Sequence, residues 1–142
     1  QISRYVISSE DLYISIAGTI GKTGIIPAEL NGANLTENAA KLVILNKDRV
    51  VLEYLYYFTQ GTDFESQAGL ATKTVAQPKL ALTRLSNIEV PLPPLPEQEK
   101  IVAQLDAIAE RTQALEAATT AQLEKLNRLK ASLLDAAFRG KL

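Results

Sequence analysis

Apolar and polar positions follow two different rhythms along this chain. Leu12 to Ala17 (LYISIA) alternates every second residue and is rich in β-formers, which predicts a strand. After the glycine-punctuated GTIGKTG, a short second strand is expected at Ile25 and Ile26, and a third at KLVIL, residues 41–45. VVLEYLYYFTQG, residues 50–61, carries helical spacing and stops at Gly61. Residues 66–80 look like loop, and Asn87 to Val90 like a last strand. Residues 1–90 thus read as a small mixed α/β domain.

A different rhythm starts after VPLPPLPEQEK. Pro91, Pro93, Pro94 and Pro96 fit neither a helix interior nor a central strand, so residues 91–96 form a stiff extended connector. Residues 97–142 then predict one long helix, with no Pro or Gly from 98 until Gly140. Glu97 and Glu99 face the positive end of its dipole, and Lys130, Arg139 and Gly140 suit its last turns. Stepping by four and three from Ile101 reaches Leu105, Ile108, Thr112, Leu115, Thr119, Gln122, Leu126, Leu129, Leu133 and Ala136, mostly apolar positions. That is a coiled-coil seam, weakest between Thr112 and Gln122. A helix of ~60 Å cannot bury its stripe on a domain whose radius of gyration is ~12 Å, so it calls for a partner helix. Acidic residues crowd its start (Glu97, Glu99, Asp106, Glu110) and basic ones its end (Lys125, Arg128, Lys130, Arg139, Lys141), which suits an antiparallel partner of like sequence. The same charges also complement the helix dipole. The fold class is therefore α+β: a small mixed domain followed by a long coiled-coil helix.

Composition removes whole classes of chemistry. The 142 residues include no His, Cys, Met or Trp, so zinc sites of the usual kinds and Cys- or His-dependent nucleophiles are excluded. No apolar run reaches the ~20 residues of a membrane span. A translated chain begins with Met, so a start at Gln1 suggests a fragment of a longer protein. With 15 basic and 16 acidic residues the net charge is −1, which does not mark a nucleic-acid binder in bulk.

Candidate motifs are few. GTIGKT at 18–23 lacks the glycine that four intervening residues separate from Gly-Lys-Thr, where Ile16 stands, and β-formers follow it. A tight β-turn displaying Lys22 at its tip is expected, not a phosphate loop. No acidic residue has a Lys two positions on, as many metal-dependent nucleases require, and no Asn-Pro-Pro-aromatic segment occurs. The paired carboxylates Glu10/Asp11 and Asp63/Glu65 are ordinary solvated surface. Residues 66–84 carry Lys73, Lys79 and Arg84 with no acid, beside Gln67, Thr72, Thr74 and Gln77. They are the best candidate for contact with a polyanion, although a polar surface loop accounts for the composition more simply. Asn31, Gly32 and Asn34 make a second polar loop of the same kind. Tyr54, Tyr56 and Tyr57 follow Leu52 and Leu55 at helical spacing and read as packing.

Several stretches together resemble the specificity subunit of type I restriction–modification enzymes. They are DLYISIAGTIGKTGIIP (11–27), NLTENAAKLVIL (34–45), EYLYYF (53–58), NIEVPLPPLPEQEKIVAQLD (87–106) and LLDAAFRGKL (133–142). The resemblance implies the later part of one target-recognition domain with its long helix. It implies antiparallel pairing with a second such helix, in another copy or another half of the protein, as a ruler between two DNA half-sites. It implies no catalysis in this chain and no cofactor of its own. Modification subunits would bind S-adenosylmethionine, restriction subunits would bind ATP and Mg, and the setting would be the cytoplasm of a bacterium or archaeon. Where relatives often carry a Gly-Ser/Thr-Thr-Gln run, this chain has GLATKTVAQPK, so its counterparts there are approximate.

The expected function is therefore a non-catalytic, DNA-reading specificity subunit. Lys22, Thr72, Lys73, Thr74, Gln77 and Lys79 are the expected DNA-facing residues. Ile101, Leu105, Ile108, Leu115, Leu126, Leu129 and Leu133 are expected to form the helix-pair interface. No metal site is expected. The alternatives are a helix-driven homodimeric interaction module and the recognition portion of a single-chain restriction–methylation enzyme.

Overall fold

A computed structural model describes residues 5–17, 20–69 and 78–141, with the side chains of 78–81 left aside. Among these residues lie three strands, β1 (Asp11–Ser15), β2 (Thr23–Ile25) and β3 (Ala39–Val43), which form one antiparallel sheet in the order β2-β1-β3. Central β1 alternates faces, so Leu12 and Ile14 point together into the core, and both are fully buried. Ile14 packs with Phe64 and Ala68, against Ala40, Phe58, Leu85 and Ile88. Phe58 and Phe64 meet edge to face with centroids 6.1 Å apart. Each buried aliphatic side chain contributes ~2 kcal/mol relative to exposure.

The third strand starts and stops two residues earlier than the KLVIL pattern suggests. Its last pair is Asp11↔Val43, and before Asp11 the chain turns away through the Asp11 N–H bond to the Ser8 carbonyl (2.9 Å). Leu45 therefore has no strand to pair with and is 95 % exposed. On the opposite face of β1, Asp11 is buried and accepts hydrogen bonds from Lys41 Nζ (3.1 Å) and the Ser8 N–H (3.0 Å). Lys41 Nζ also donates to the Val6 carbonyl (2.6 Å), which ties the first described residues to β3.

Helix α1 (Leu52–Thr59) occupies the expected place. Two further helices, α2 (Thr62–Ala68) and α3 (Pro78–Leu85), correct the loop reading of 66–80 at its two ends, and residues 70–77 lie outside the described residues. α2 buries Phe64 and Ala68 four residues apart and ends at Gly69, whose φ of +66° is the left-handed stop that glycine favours. α3 opens on Pro78, a residue preset for a first helical turn. Residues 87–90 are not a strand. The Glu89 N–H donates to Gln67 Oε1 (2.8 Å) and its carbonyl accepts from Gln67 Nε2 (3.1 Å). One side-chain amide thus takes both backbone groups that a neighbouring strand would have used.

The chain comprises two compact units, residues 1–102 and 103–142. Helix α4 (Leu95–Phe138) has 44 residues, a length of about 66 Å, and its first two turns belong to the first unit. The Glu97 and Gln98 amides both bond the Pro94 carbonyl, at 2.9 and 3.2 Å, which starts the helix on the last residue of the proline run's extended part. Gln98 is wholly buried: Nε2 donates to the Arg49 (2.8 Å) and Pro93 (2.7 Å) carbonyls, and Oε1 accepts from the Val51 N–H (3.0 Å). Tyr54 Oη donates to the Pro91 carbonyl at 2.8 Å. In the second unit α4 runs unbroken through the Ala-rich middle. It closes with the Lys141 N–H on the Ala136 carbonyl (2.8 Å) and the Gly140 N–H on the Ala137 carbonyl (3.1 Å), with Gly140 at φ +67°. That is the six-to-one, five-to-two stop that Gly140 suggests from sequence.

Candidate nucleic-acid interface

Ile20, Gly21 and Lys22 of GTIGKT belong to the connection of a hairpin between β1 and β2, Thr23 opens β2, and Gly18 and Thr19 lie outside the described residues. Gly21 adopts φ +85°, its N–H bonds the Ser15 carbonyl (2.8 Å), and the Ser15 N–H bonds the Lys22 carbonyl (2.8 Å). A strand follows, so no helix N-terminus is available to hold phosphate. Lys22 is exposed at the root of the turn, paired with Ser15, and not at its tip.

Beside Lys22 opens a cleft of about 300 Å³, lined by Ile20, Lys22, Thr59, Gln60, Phe64 and Glu65 among others. Its polar wall joins β2 to the end of α1. Thr23 Oγ1 and Thr59 Oγ1 lie 2.6 Å apart, Thr59 Oγ1 donates to the Tyr56 carbonyl (2.6 Å), and Gln60 Nε2 donates to Thr23 Oγ1 (2.7 Å). Thr59 is buried and Gln60 exposed. Sequence reading missed this cluster because its members stand 36 and 37 residues apart. The only local sign was a polar Thr-Gln-Gly ending to an otherwise apolar helix.

Thr72, Lys73, Thr74 and Gln77 lie outside the described residues. Lys79 is the second residue of α3, with its side chain not described. Arg84, in the last turn of α3, sets its guanidinium against the C-terminal end of α2, where a cation is favoured. Its Nη1 lies 2.7 Å from where a Cβ on Gly69 would stand. Tyr54 is buried, while the Tyr56 and Tyr57 rings meet at a tilt of 52° with centroids 5.7 Å apart.

Along α4, Ile101 and Leu105 are half-buried. Ile108, Leu115, Leu126, Leu129 and Leu133 are 48–67 % exposed, and so present the expected seam as an uncovered stripe. Leu123, Leu134 and Phe138 are exposed too and lie off that seam, widening the apolar face towards the helix end. Among the described residues no helix is long and apolar enough to cross a membrane, and no carboxylate group is clustered to hold a metal ion.

The described residues thus form a small sheet-and-helix domain, a proline-rich segment and a long helix with an open apolar stripe. The chain belongs to the type I restriction modification DNA specificity domain family, whose model matches residues 1–125. It is 29 % identical over its whole length to the type I restriction enzyme EcoBI specificity subunit of Escherichia coli, of which it covers 30 %. It is 32 % identical over 94 residues (66 % of the chain) to the EcoDI specificity subunit of the same organism, covering 21 % of that protein. The crystal structure of the HsdS subunit from Thermoanaerobacter tengcongensis shares the fold, with a TM-score of 0.66 and 24 % identity over 80 % of this chain and 30 % of that one. The chain thus spans about a third or less of the length of these relatives.

Proposed function

We propose that the intact protein is the DNA sequence-recognition subunit of a type I restriction–modification system. In this role the globular unit reads DNA, and α4 pairs antiparallel with a second such helix, in another half of the protein or another copy, to space two half-sites. The chain itself carries no catalysis and no cofactor. Modification subunits supply S-adenosylmethionine-dependent adenine methylation, and restriction subunits supply ATP- and Mg-dependent cleavage, in the cytoplasm of the cell. Lys22, Thr72, Lys73, Thr74, Gln77 and Lys79 are the residues placed towards DNA on this reading.

The observation that carries the reading is the family match across residues 1–125. The uncovered leucine stripe of α4 supports the pairing, because exposed apolar stripes at heptad spacing are stabilised by a partner helix. The test is adenine-methylation mapping by single-molecule sequencing, with the intact gene co-expressed with its modification gene in a methylation-free host. A bipartite methylated motif is expected. A contiguous motif points instead to a single-chain restriction–methylation enzyme. No methylation, with both proteins soluble and co-purifying, sinks the reading in favour of a helix-driven interaction module.

A further inference from the structure

Resting on that reading, we infer that Gln60 reads an adenine in one half-site, its amide aimed by a relay of two threonine hydroxyls. The hydrogen-bond directions in the polar wall of the cleft are forced. The Tyr56 carbonyl can only accept, so Thr59 Oγ1 spends its one proton there. Thr23 Oγ1, 2.6 Å from Thr59 Oγ1, must then be the donor of that pair. With its own proton used, Thr23 Oγ1 faces Gln60 only as an acceptor, at 2.7 Å. It therefore selects Nε2 over Oε1 and sets the flip of the amide.

The outcome is a side chain presenting a defined pair of groups. Gln60 is exposed, and one side of its Nε2 faces both Thr23 Oγ1 (2.7 Å) and Thr59 Oγ1 (3.4 Å), which lie only 2.6 Å apart. Held by one N–H there, the amide keeps its other N–H and Oε1 for a base edge. Adenine offers the matching pair in the major groove, an acceptor at N7 and a donor at the N6 amine, and glutamine is a geometric match for both. Guanine offers two acceptors there, which would leave Oε1 facing an oxygen or a ring nitrogen.

The rest of the cleft agrees with a base edge in preference to a backbone phosphate. Glu65 lines the cleft together with Lys22. A carboxylate repels phosphate and the acceptor edge of guanine, but tolerates an exocyclic amine. Lys22, exposed at the root of the β1–β2 hairpin turn, is placed for a flanking phosphate. Holding the glutamine beforehand also lowers the ordering cost of binding, so the relay raises discrimination and not only affinity.

The test is the methylated motif of the intact protein, co-expressed with its modification subunit, for wild type and for Gln60→Ala, Gln60→Glu and Thr23→Val. Gln60→Ala is expected to lose about 5- to 150-fold of its preference for adenine at one motif position, with every other position unchanged. Gln60→Glu should move that position towards cytosine, whose N4 amine only donates. Thr23→Val, which frees the amide to flip, should relax the same position by a smaller factor. Because Gln60 is exposed, its variants are expected to keep the wild-type circular dichroism spectrum. A wild-type motif and rate in both Gln60 variants overturns the inference and leaves the DNA-recognition reading standing. A uniform loss at all sequences with the fold intact also overturns it, since Gln60 would then hold DNA without reading it. Absence of any sequence-defined methylation in wild type removes the reading and the inference together.

Discussion

Replacing Gln98 with alanine is expected to destabilise the globular unit by about 4 kcal/mol. The side chain is fully buried and makes three hydrogen bonds of 2.7 to 3.0 Å, to groups at Arg49, Val51 and Pro93. Each is worth ~1 kcal/mol net, so the three together contribute ~3 kcal/mol. The cavity left by the shortened stem adds ~1 kcal/mol. Gln98→Glu sharpens the test because it keeps the shape. A carboxylate can still accept from the Val51 N–H, but it sets its second oxygen against two carbonyls that need a donor. At pH 7 it should cost at least as much as alanine. Urea unfolding followed by tyrosine fluorescence is the assay, since all five tyrosines fall within residues 5–57 and no Trp interferes. A Gln98→Ala change below about 1 kcal/mol would refute the reasoning, and a Gln98→Glu variant as stable as wild type would show that the Nε2 bonds carry little weight.

Three further outcomes are expected. Gly69→Ala should cost about 1–2 kcal/mol in the same unfolding assay, mainly because a residue with a side chain is strained at φ +66°. The Arg84 guanidinium tip can swing away from the added methyl. Lys41→Met should cost about 2–3 kcal/mol at pH 7 by leaving buried Asp11 without its cation. That is less than for a fully enclosed pair, since the Lys41 side chain is 23 % exposed. Leu126→Asp should leave the tyrosine-reported transition unchanged and lower the mass seen by light scattering at tens of micromolar, because it places a charge on the uncovered stripe of α4. An unchanged mass would exclude that stripe from self-association.

The elements that were legible in the sequence are those whose pattern is local. The long helix announces itself by the prolines before it, the lack of breakers within it and Gly140 after it, and the structure ends it by that glycine's left-handed turn. β1, β2 and β3 appear within two residues of their expected bounds, with β3 stopping where Asp11 ends its partner, whereas the strand expected at 87–90 does not form because Gln67 takes the Glu89 backbone groups. Short helices such as α2 carry too few turns for periodicity to rise above a polar segment. The glutamines are the least legible residues of all. Gln60, Gln67 and Gln98 look alike in sequence, yet their partners stand 37, 22 and 47 residues away. An amide is chosen by what surrounds it after folding, so neither the pin at the helix start nor the polar wall of the cleft had a local signature. The glycine-rich turn was legible too, but Lys22 stands at its root, paired with Ser15, because the Ser15 N–H bonds the Lys22 carbonyl.

The Gln67–Glu89 contact also bears on how this chain behaves among other chains. An extended segment with free N–H and C=O groups is a template on which another polypeptide can add as a strand, the first step of ordered aggregation. Residues 87–90 alternate the β-formers Ile88 and Val90 with polar Asn87 and Glu89, the pattern of a half-exposed strand. Gln67 occupies both Glu89 groups from within the same molecule, and Pro91, which follows at once with no N–H of its own, shortens the reach of any invading strand. A single amide side chain thereby makes this stretch a poor seed for fibrils.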